Sequence, residues 1–342
     1  MGTNNRIRTA ATILLITAAV FVFLEHAWAG VLRDRWISRA ISRGVEKNQE
    51  EARAALELYQ VRRIELFHEN LKRSYYLYVP KVPRESYPLV FIIHGGGGSA
   101  LGAVRMADMN ELAEKEGFII AYPNGTGPYE DALLTFNAGN CCGEAYQSQV
   151  NDTVFFRAMI DDIGRRYKID ARRIFAAGLS NGGKMAYKLA YELSDVFAAV
   201  APVEGSFDFN DPAVVNPVSL IIFHGTQDEH ILYNGGAPRK TLDKKVKRVD
   251  RSVAYAVSYW VKNNGCDPVP GKVKTGHVIR ESYGGGREGA EVELYTIEGQ
   301  GHAWPGGKSG LRYGNVDPPT QEISATQLMW EFFKRHPRIK TG

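Results

Sequence analysis

The sequence predicts an α/β protein with a mostly parallel, doubly wound sheet and helices on both faces. Short, continuous apolar runs recur along the chain and alternate with longer segments whose apolar residues have helical spacing. Each run is too short for a helix, and its unbroken apolar character is typical of a strand buried on both faces. Strands that alternate with helices form parallel sheets through crossover connections. These observations together predict the fold class.

The individual elements follow in chain order. The alternation in Ser74–Val79 predicts an antiparallel strand that ends at Pro80. The predicted core strands are residues 89–93, 118–121, 174–177, 197–201 and 219–223, with a late strand at 292–297. The predicted helices are residues 102–116, 153–167, 182–193 and 253–263, with a closing helix at 320–334.

Length and charge limit the classes of protein that this chain can represent. With 342 residues, of which 44% are hydrophobic, the chain can bury one large core, and we assign residues 61–340 to a single domain. The formal net charge is only +4, and acidic residues are spread along the chain, which argues against nucleic acid as a partner. We expect a monomer that acts on a small molecule or an oligomer.

The N-terminal segment resembles a secretory signal. Arg6 and Arg8 precede an uncharged run, Thr9–Leu24, and Ala27-Trp28-Ala29 supplies the small residues that a signal peptidase reads. We therefore expect residues 1–29 to be a signal peptide that is cleaved before Gly30. The alternative is an uncleaved membrane anchor, because the apolar run is only slightly shorter than a spanning helix. Both interpretations place the domain outside the cytoplasm, in the periplasm or the extracellular space.

Residues 30–60 are predicted to form an amphipathic helical extension. This segment lacks proline, and its apolar residues recur at helical spacing. Arg33, Arg35, Arg39 and Arg43 would let the helix lie on an anionic membrane surface, or the helix could pack on the domain, and a solvated spacer is an equal alternative.

The three cysteines are Cys141, Cys142 and Cys266. Adjacent residues joined by a trans peptide have Cα atoms about 3.8 Å apart, which is below the usual range for a disulfide. A bridge between Cys266 and one of the adjacent pair is therefore the expected pairing, although the sequence does not fix it. The spacing of cysteine and histidine residues does not suggest a metal site.

The stretch Gly178-Leu179-Ser180-Asn181-Gly182-Gly183 directly follows the predicted strand 174–177. A serine between glycines at a tight turn from strand to helix can present its hydroxyl in the open, as a nucleophile requires. Ser180 is thus a candidate nucleophile. The alternative role is a helix N-cap, which serine often fills.

Ligand sites in open α/β sheets form beyond the carboxyl ends of the strands, so residues after other strands are candidates for the remaining catalytic roles. Asp228 follows the strand that ends near His224, and His302 follows the late strand. The chain order Ser180, Asp228, His302 is the order of nucleophile, acid and base in α/β-hydrolases. A serine attack on an acyl carbon needs such a base and acid.

The oxyanion that forms in such an attack needs N–H donors. The glycine loop His94-Gly95-Gly96-Gly97-Gly98-Ser99 follows the first core strand, where the α/β-hydrolase fold supplies one donor. The backbone N–H of Asn181, directly after the nucleophile, would be the second donor.

Other residues compete for these roles. For the base, the alternatives are His94, His224, His230 and His277. For the acid, the alternatives are Glu229, Asp211 and Asp243. We favour His302 for its place in the chain order and its glycine neighbours, and Asp228 for its tight loop after a core strand.

From about Arg73 to Arg335 the chain resembles the secreted α/β-hydrolase esterases that are grouped as polyhydroxybutyrate (PHB) depolymerase-like and feruloyl esterase-like proteins. The segments that carry the resemblance are residues 73–80, 94–97, 122–125, 136–139 with 141–143, 178–183, 224–228 with Tyr233, 264–266 and 301–307. The resemblance implies a serine esterase with Ser180 as nucleophile, Asp228 as acid and His302 as base. It also implies an oxyanion hole from Gly96 and Asn181, and no metal or organic cofactor.

The resemblance further suggests that Asn137, Tyr233 and Trp304 bind substrate. The expected substrates are hydroxyalkanoate oligomers, feruloyl-type esters or other small esters. A serine peptidase on the same fold and a catalytically silent domain that binds an envelope partner are the alternatives. The basic segment 234–251 could overhang the cleft and attract anionic substrates, or it could be a solvated loop.

Overall fold

The structure is a computed structural model that describes residue 54 and residues 56–69, 71–210, 214–241, 247–308 and 316–339. All of these belong to one compact unit, Ala52–Gly342. The predicted signal segment 1–29, and residues 30–53 of the predicted extension, lie outside the described residues. Residues 56–59 are helical. Among the described helices, none has both the length and the apolar character needed to cross a membrane.

The described residues contain ten strands that form one sheet. The strands are β1 (Arg62–His68), β2 (Leu71–Tyr78), β3 (Tyr87–Ile93), β4 (Ile119–Pro123), β5 (Ile169–Leu179), β6 (Ala199–Val203), β7 (Ser219–Gly225), β8 (Gly271–Thr275), β9 (Val278–Tyr283) and β10 (Val292–Ile297). Their order across the sheet is β1-β2-β4-β3-β5-β6-β7-β10-β9-β8.

Parallel pairing joins the six central strands, from β4 through β3, β5, β6 and β7 to β10. The outer strands pair antiparallel, with β1 and β2 at one edge and β8 and β9 at the other. Five of the six central strands are almost entirely buried, as their unbroken apolar runs predicted, and β5 is buried from Ile174 to Leu179. The prediction of a mostly parallel, doubly wound sheet is confirmed.

Helices cover both faces of the sheet. They are α1 (Ala100–Ala107), α2 (Asn110–Glu116), α3 (Gly143–Gln147), α4 (Asp152–Arg166), α5 (Asn181–Glu192), α6 (Val253–Asn264) and α7 (Ala325–Arg335). Side chains of α1, α2 and α7 pack in one apolar cluster, and those of α4, α5 and α6 pack in a second. The sheet therefore lies between two helical layers, as the fold class requires.

The structure divides one predicted helix, begins the closing helix at Ala325 rather than at residue 320, and adds a hairpin that the sequence did not predict. Residues 102–116 form two helices rather than one, because Asp108 adopts a left-handed conformation and closes α1 by donating its N–H to the carbonyl of Val104. Aspartate adopts this conformation more readily than most residues do. The hairpin of β8 and β9 was missed because β8 is fully exposed and carries no apolar pattern.

The expected pairing of Cys266 is also wrong. Cys141 and Cys142 form a disulfide with each other, and Cys266 is a free, buried cysteine. The peptide between the adjacent cysteines is cis rather than trans, and their Cα atoms are 3.1 Å apart. The Sγ of Cys266 donates to the carbonyl of Ala290 instead, at 3.5 Å.

Candidate active site

The carboxyl ends of the parallel strands bring the candidate residues to one edge of the sheet. Ser180 follows β5, Asp228 follows β7, and His302 follows β10. Each of these residues lies within a few positions of a strand end. The rigid sheet therefore positions their side chains through short loops.

Ser180 occupies a strained turn between β5 and α5. Its backbone has φ 60° and ψ −118°, which is rare for any residue with a side chain. A Cβ atom at Gly178 would lie 2.4 Å from the carbonyl oxygen of Gly182, and one at Gly182 would lie 2.3 Å from that of Ile93. The glycines around Ser180 are thus required by close backbone packing. Ser180 makes no side-chain capping bond to the described helix α5, so the N-cap role does not explain it.

Asp228 and His302 are hydrogen-bonded to each other. The distance from Nδ1 of His302 to Oδ2 of Asp228 is 2.7 Å, and both side chains are almost fully buried. The other carboxylate oxygen, Oδ1, accepts the backbone N–H groups of His230 at 2.7 Å and Ile231 at 3.0 Å. Because Nδ1 donates to the carboxylate, Nε2 of His302 is the ring nitrogen left to accept a proton.

The surroundings of Asp228 keep it ionised. Burial by itself would raise the pKa of Asp228, but the charge and hydrogen bond of His302, with further contributions from His224 and the Ile231 amide, outweigh burial. The pKa of Asp228 consequently lies below its ordinary value. An ionised acid is what holds an imidazole in the required tautomer.

The glycine loop after β3 faces Ser180. The N–H of Gly97 donates to the carbonyl of Leu134 at 2.9 Å, and that of Gly98 donates to the carbonyl of Gly95 at 3.0 Å. Those two amides are engaged within the fold, and Gly96 remains the predicted oxyanion donor of the loop. Gly96, Ser180 and Asn181 all line the same cavity.

This cavity has a volume of about 380 Å³. It is lined by Gly96, Gly97, Leu133, Thr135, Asn140, Cys141, Cys142, Gly143, Ser180, Asn181, His230, Ile231, Lys240, Thr241 and Arg248. The vicinal disulfide is therefore part of its wall. The volume lies within the range typical of small-molecule sites.

Two cations of the basic segment 234–251 reach the cavity, and both are paired. Lys240 lies 2.7 Å from Glu229, and Nε of Arg248 lies 3.0 Å from Asp250. Lys244 and Lys245 lie outside the described residues. The cationic character of this wall is thus partly neutralised by neighbouring carboxylates.

A buried charge network lies behind the cavity wall. Nζ of Lys184, on α5, lies 2.8 Å from Oδ1 of Asp250 and also contacts Asp208. Nζ also donates to Oδ1 of Asn140 at 2.8 Å. A guanidinium nitrogen of Arg248 donates to the carbonyl of His230 at 2.6 Å. The network connects the helix that carries the nucleophile to the loops that form the cavity.

The competing histidines have other roles. His94 accepts the N–H of Gly125 on Nε2 at 3.1 Å and donates from Nδ1 to the carbonyl of Gly95 at 2.7 Å, so it holds two loops together. Burial lowers the pKa of His94 to about 4. The ring of His277 is largely exposed and pairs with Glu322 at 2.5 Å.

The remaining two histidines lie close to the site. His230 lines the cavity, and its ring centroid is 4.8 Å from that of His302. Burial and the nearby His302 lower the pKa of His230 to about 4, so it is neutral at pH 7. Nε2 of His224 donates to the carbonyl of Ile231 at 2.8 Å. The rings of His230 and His224 do not form the 2.7 Å hydrogen bond to the Asp228 carboxylate that His302 forms.

Of the competing acids, Glu229 lies within the described residues and is engaged elsewhere. Glu229 pairs with Lys240 at the cavity rim. Asp211 and Asp243 lie outside the described residues.

The three suggested substrate-binding residues are not in the cavity wall. The Asn137 amide Nδ2 donates to the carbonyl of Val150 at 3.0 Å, and the Tyr233 hydroxyl lies 2.7 Å from Oγ1 of Thr296. Trp304 is fully buried in the core. The polar groups of Asn137 and Tyr233 contribute to the fold through these bonds, and substrate binding by the three residues stays a prediction.

Glu204 is a site residue that the sequence analysis missed. It directly follows β6, is fully buried, and lies with His224 and Asp228 in a cluster whose nitrogen and oxygen atoms are within 4.8 Å of one another. Such a group could in principle hold a metal ion. However, Nε2 of His224 carries a proton for the Ile231 carbonyl, and the carboxylate oxygens already accept hydrogen bonds. The cluster is therefore a hydrogen-bonded network behind the Asp228–His302 pair.

Sequence comparisons relate the chain to known esterases. Residues 73–219 match the family model described as Esterase PHB depolymerase. The chain is 33% identical over 231 residues to Feruloyl esterase B of Piromyces equi. This alignment covers 65% of the chain and 41% of that relative. The chain is also 28% identical over 270 residues to Putative esterase NocK of Nocardia uniformis subsp. tsuyamanensis. This alignment covers 74% of the chain and 75% of that relative. The chain thus spans less than half the length of the first of these proteins.

Comparisons with solved structures support the fold. The acetyl xylan esterase from Aspergillus awamori is 17% identical, with a TM-score of 0.52 over 71% of this chain and 94% of that one. A thermostable esterase is 17% identical, with a TM-score of 0.52 over 81% of this chain and 63% of that one. Residues 73–219 of the chain are thus similar to the PHB depolymerase esterase family, and the solved structures show the α/β-hydrolase fold.

Proposed function

We propose that this chain is a carboxylic-ester hydrolase that works through an acyl-enzyme on Ser180, with His302 as the base and Asp228 as the acid. The observation that carries the proposal is the 2.7 Å contact between His302 and Asp228, at the same sheet edge as the strained turn of Ser180. Strained backbone at a cavity wall is typical of an activated nucleophile. The match of residues 73–219 to the esterase family model supports the same chemistry.

The reaction proceeds in two displacements. Nε2 of His302 takes the proton of the Ser180 hydroxyl as Oγ attacks the ester carbonyl carbon. The N–H groups of Gly96 and Asn181 stabilise the resulting oxyanion, and a single donor of this kind contributes on the order of 3 kcal/mol. The C–O bond then breaks, and the alcohol leaves with the proton from His302. Water repeats the sequence on the acyl-enzyme and releases the acid.

Asp228 stays ionised throughout. Its carboxylate fixes the Nδ1–H tautomer of His302 and stabilises the imidazolium that forms when Nε2 takes the proton. The lowered pKa of Asp228 supports this role.

We propose hydroxyalkanoate oligomers, feruloyl-type esters or other small esters as substrates. The relatives named as feruloyl esterases support this class. A cavity of about 380 Å³ suits the acyl or alcohol portion of such a molecule. Leu133 and Ile231 supply apolar contacts, and Lys240 and Arg248 lie where a carboxylate on the substrate would be attracted.

We also propose that the protein acts outside the cytoplasm, in the periplasm or the extracellular space. The charged start, apolar run and small-residue site of residues 1–29 support export.

The test is ester hydrolysis by the wild type and by Ser180→Ala, with Ser148→Ala as an exposed serine control. We expect the kcat for p-nitrophenyl butyrate to fall on the order of 10⁶-fold in Ser180→Ala and to stay unchanged in the control. Peptide reporters assayed in parallel distinguish an esterase from a peptidase. A folded Ser180→Ala protein with wild-type activity would refute the proposal.

A further inference from the structure

Glu204 occupies an unusual place in the sheet. It is the first residue after β6, it is fully buried, and its φ is 45°. A positive φ strains the backbone of a residue with a side chain, and such conformations are concentrated at functional sites. Because β6 and β7 are parallel neighbours, Glu204 lies beside the loop that carries Asp228.

The hydrogen bonds of Glu204 hold both of its oxygens in the interior. Oε1 and Oε2 each lie 3.0 Å from the backbone N–H of Gly225, and Oε1 also accepts Nε2 of Gln300 at 3.1 Å. Oε2 lies 3.4 Å from Nε2 of His224. Since Gly225 ends β7 and Gln300 lies two residues before His302, Glu204 connects the two loops that carry the acid and the base.

The titratable groups that face Glu204 are Asp228 and His224. Nε2 of His224 also lies 3.6 Å from Oδ2 of Asp228, so that two buried carboxyl groups share one small volume. Burial lowers the pKa of His224, which is therefore neutral and offers no compensating charge. Two carboxylates in such a site cannot both ionise without a large penalty.

The hydrogen bonds decide which carboxyl keeps the proton. Asp228 accepts two backbone N–H groups on Oδ1 and the His302 ring on Oδ2, which favours its ionised form. Burial first, and the adjacent Asp228 charge second, hold the pKa of Glu204 well above its ordinary value. Of the two carboxyl groups, Glu204 is therefore the one that stays protonated.

We propose that Glu204 is a positioning residue whose protonated carboxyl donates a hydrogen bond to Asp228 and so holds this carboxylate toward His302. The proposal rests on the proposed function of the Asp228–His302 pair. Glu204 is then a second buried acid beside the Asp228–His302 pair. Its carboxyl is neutral at pH 7 and acts as a hydrogen-bond donor.

The first test compares Glu204→Leu with Glu204→Gln in the full chain. Leucine can neither donate to Asp228 nor accept from Gly225, and we expect kcat to fall about 10- to 100-fold with little change in KM. The Gln amide can donate to Asp228 as the protonated acid does, and we expect at least a tenfold recovery of kcat relative to Leu. If Gln is as impaired as Leu, or if Leu retains wild-type kcat, the proposal is overturned.

The second test uses the pH dependence of thermal stability, which does not require activity. A carboxyl whose pKa is raised in the folded state contributes stability that is complete below its unfolded pKa, 4.5, and is lost as pH rises toward the folded pKa. We expect the melting temperature of the wild type, relative to Glu204→Gln, to decrease from pH 4.5 to pH 9. A difference that is constant with pH would contradict a protonated Glu204.

The third measurement covers the case in which the Glu204 variants do not fold. At pH 7 the wild type should show the infrared carbonyl band of a protonated carboxyl, and Asp228→Asn should shift this band because the acceptor changes. Absence of the band from the folded wild type would overturn the proposal. Loss of ester hydrolysis alone, with the band present, would instead count against the proposed function, so the two failures are distinguishable.

Discussion

Oδ2 of Asp228 lies 2.7 Å from Nδ1 of His302, although 74 positions separate the two residues in the chain. They meet because β7 and β10 are parallel neighbours in the sheet, with Gly225 paired to Ile297 at their carboxyl ends. The loops that follow these paired ends start side by side. The contact that we assign to catalysis is therefore a direct consequence of sheet topology.

The contribution of Asp228 is tested by Asp228→Asn. An asparagine cannot stabilise the imidazolium and can favour the wrong tautomer of His302, so we expect kcat for p-nitrophenyl butyrate to fall on the order of 10⁴-fold. Asp161→Asn, which changes an exposed aspartate on α4, is the matched control and should retain kcat. A loss of less than tenfold in Asp228→Asn would argue that another acid serves His302.

The close packing of the nucleophile turn is tested by Gly182→Ala. The new Cβ would lie 2.3 Å from the carbonyl oxygen of Ile93, so the turn or β3 must shift. We expect the variant to lose about 1–3 kcal/mol in free energy of unfolding, together with most of its esterase activity.

The control for Gly182 is Gly164→Ala on α4, where an added Cβ meets nothing within 4 Å. Replacing a glycine inside a helix should leave activity intact and raise stability by up to about 1 kcal/mol. Urea unfolding of both variants measures the difference. Equal stability of the two variants would show that the turn is less tightly packed than described.

The buried charge network is tested by Lys184→Met. The substitution leaves the carboxylates of Asp208 and Asp250 without their buried partner, and we expect a loss of about 3–5 kcal/mol in free energy of unfolding. Lys262→Met, at an exposed position on α6, should change stability by no more than about 0.5 kcal/mol. Urea denaturation of the two variants provides the measurement, and a loss below 1 kcal/mol for Lys184→Met would contradict the assignment.

His94 makes stability sensitive to acid. Its pKa is lowered to about 4 by burial, whereas in the unfolded chain it is 6.5. The contribution of His94 to the free energy of unfolding is complete above pH 6.5 and is lost as pH falls toward 4. At pH 5 the free energy of unfolding is lower by about 2 kcal/mol for this reason.

His94→Gln removes this titration. The variant should be less stable than the wild type at pH 7, because it loses a buried ring and a hydrogen bond, but it should lose less stability between pH 7 and pH 5. Thermal unfolding at the two pH values measures both effects. An equal acid-induced loss in the two proteins would show that His94 titrates normally.

Much of the site could be predicted because its residues occupy positions that sequence patterns mark. Ser180, Asp228 and His302 each follow an apolar run, and the chain order, together with the neighbouring residues, predicted distinct roles for them. The glycines around Ser180 were recognisable for the same reason. Their close contacts with the backbone of β3 now give the physical cause.

Glu204 could not be predicted in this way. It also follows a strand, but its importance depends on the adjacency of β6 and β7 and on the distances to His224 and Asp228. An isolated glutamate between Val203 and Gly205 carries no such information. A search for acidic residues directly after every core strand would have found it.

The substrate contacts that the resemblance suggests do not coincide with the cavity wall. Asn137, Tyr233 and Trp304 lie within recognisable motifs, but motif membership does not distinguish a side chain that holds a loop from one that lines a cavity. The residues that do line it, such as Leu133 and Ile231, lie in loops whose course depends on tertiary packing.

The most direct test of the account is covalent labelling with a fluorophosphonate, which reacts with activated serines. The probe is applied to the wild type, to Ser180→Ala and to His302→Ala, and the adduct is located by mass spectrometry of proteolytic peptides. We predict a single adduct on Ser180 in the wild type, none in Ser180→Ala, and strongly slowed labelling in His302→Ala. Absence of labelling in folded wild-type protein, or an adduct on a different serine, would contradict the central claim that Ser180 is the activated nucleophile.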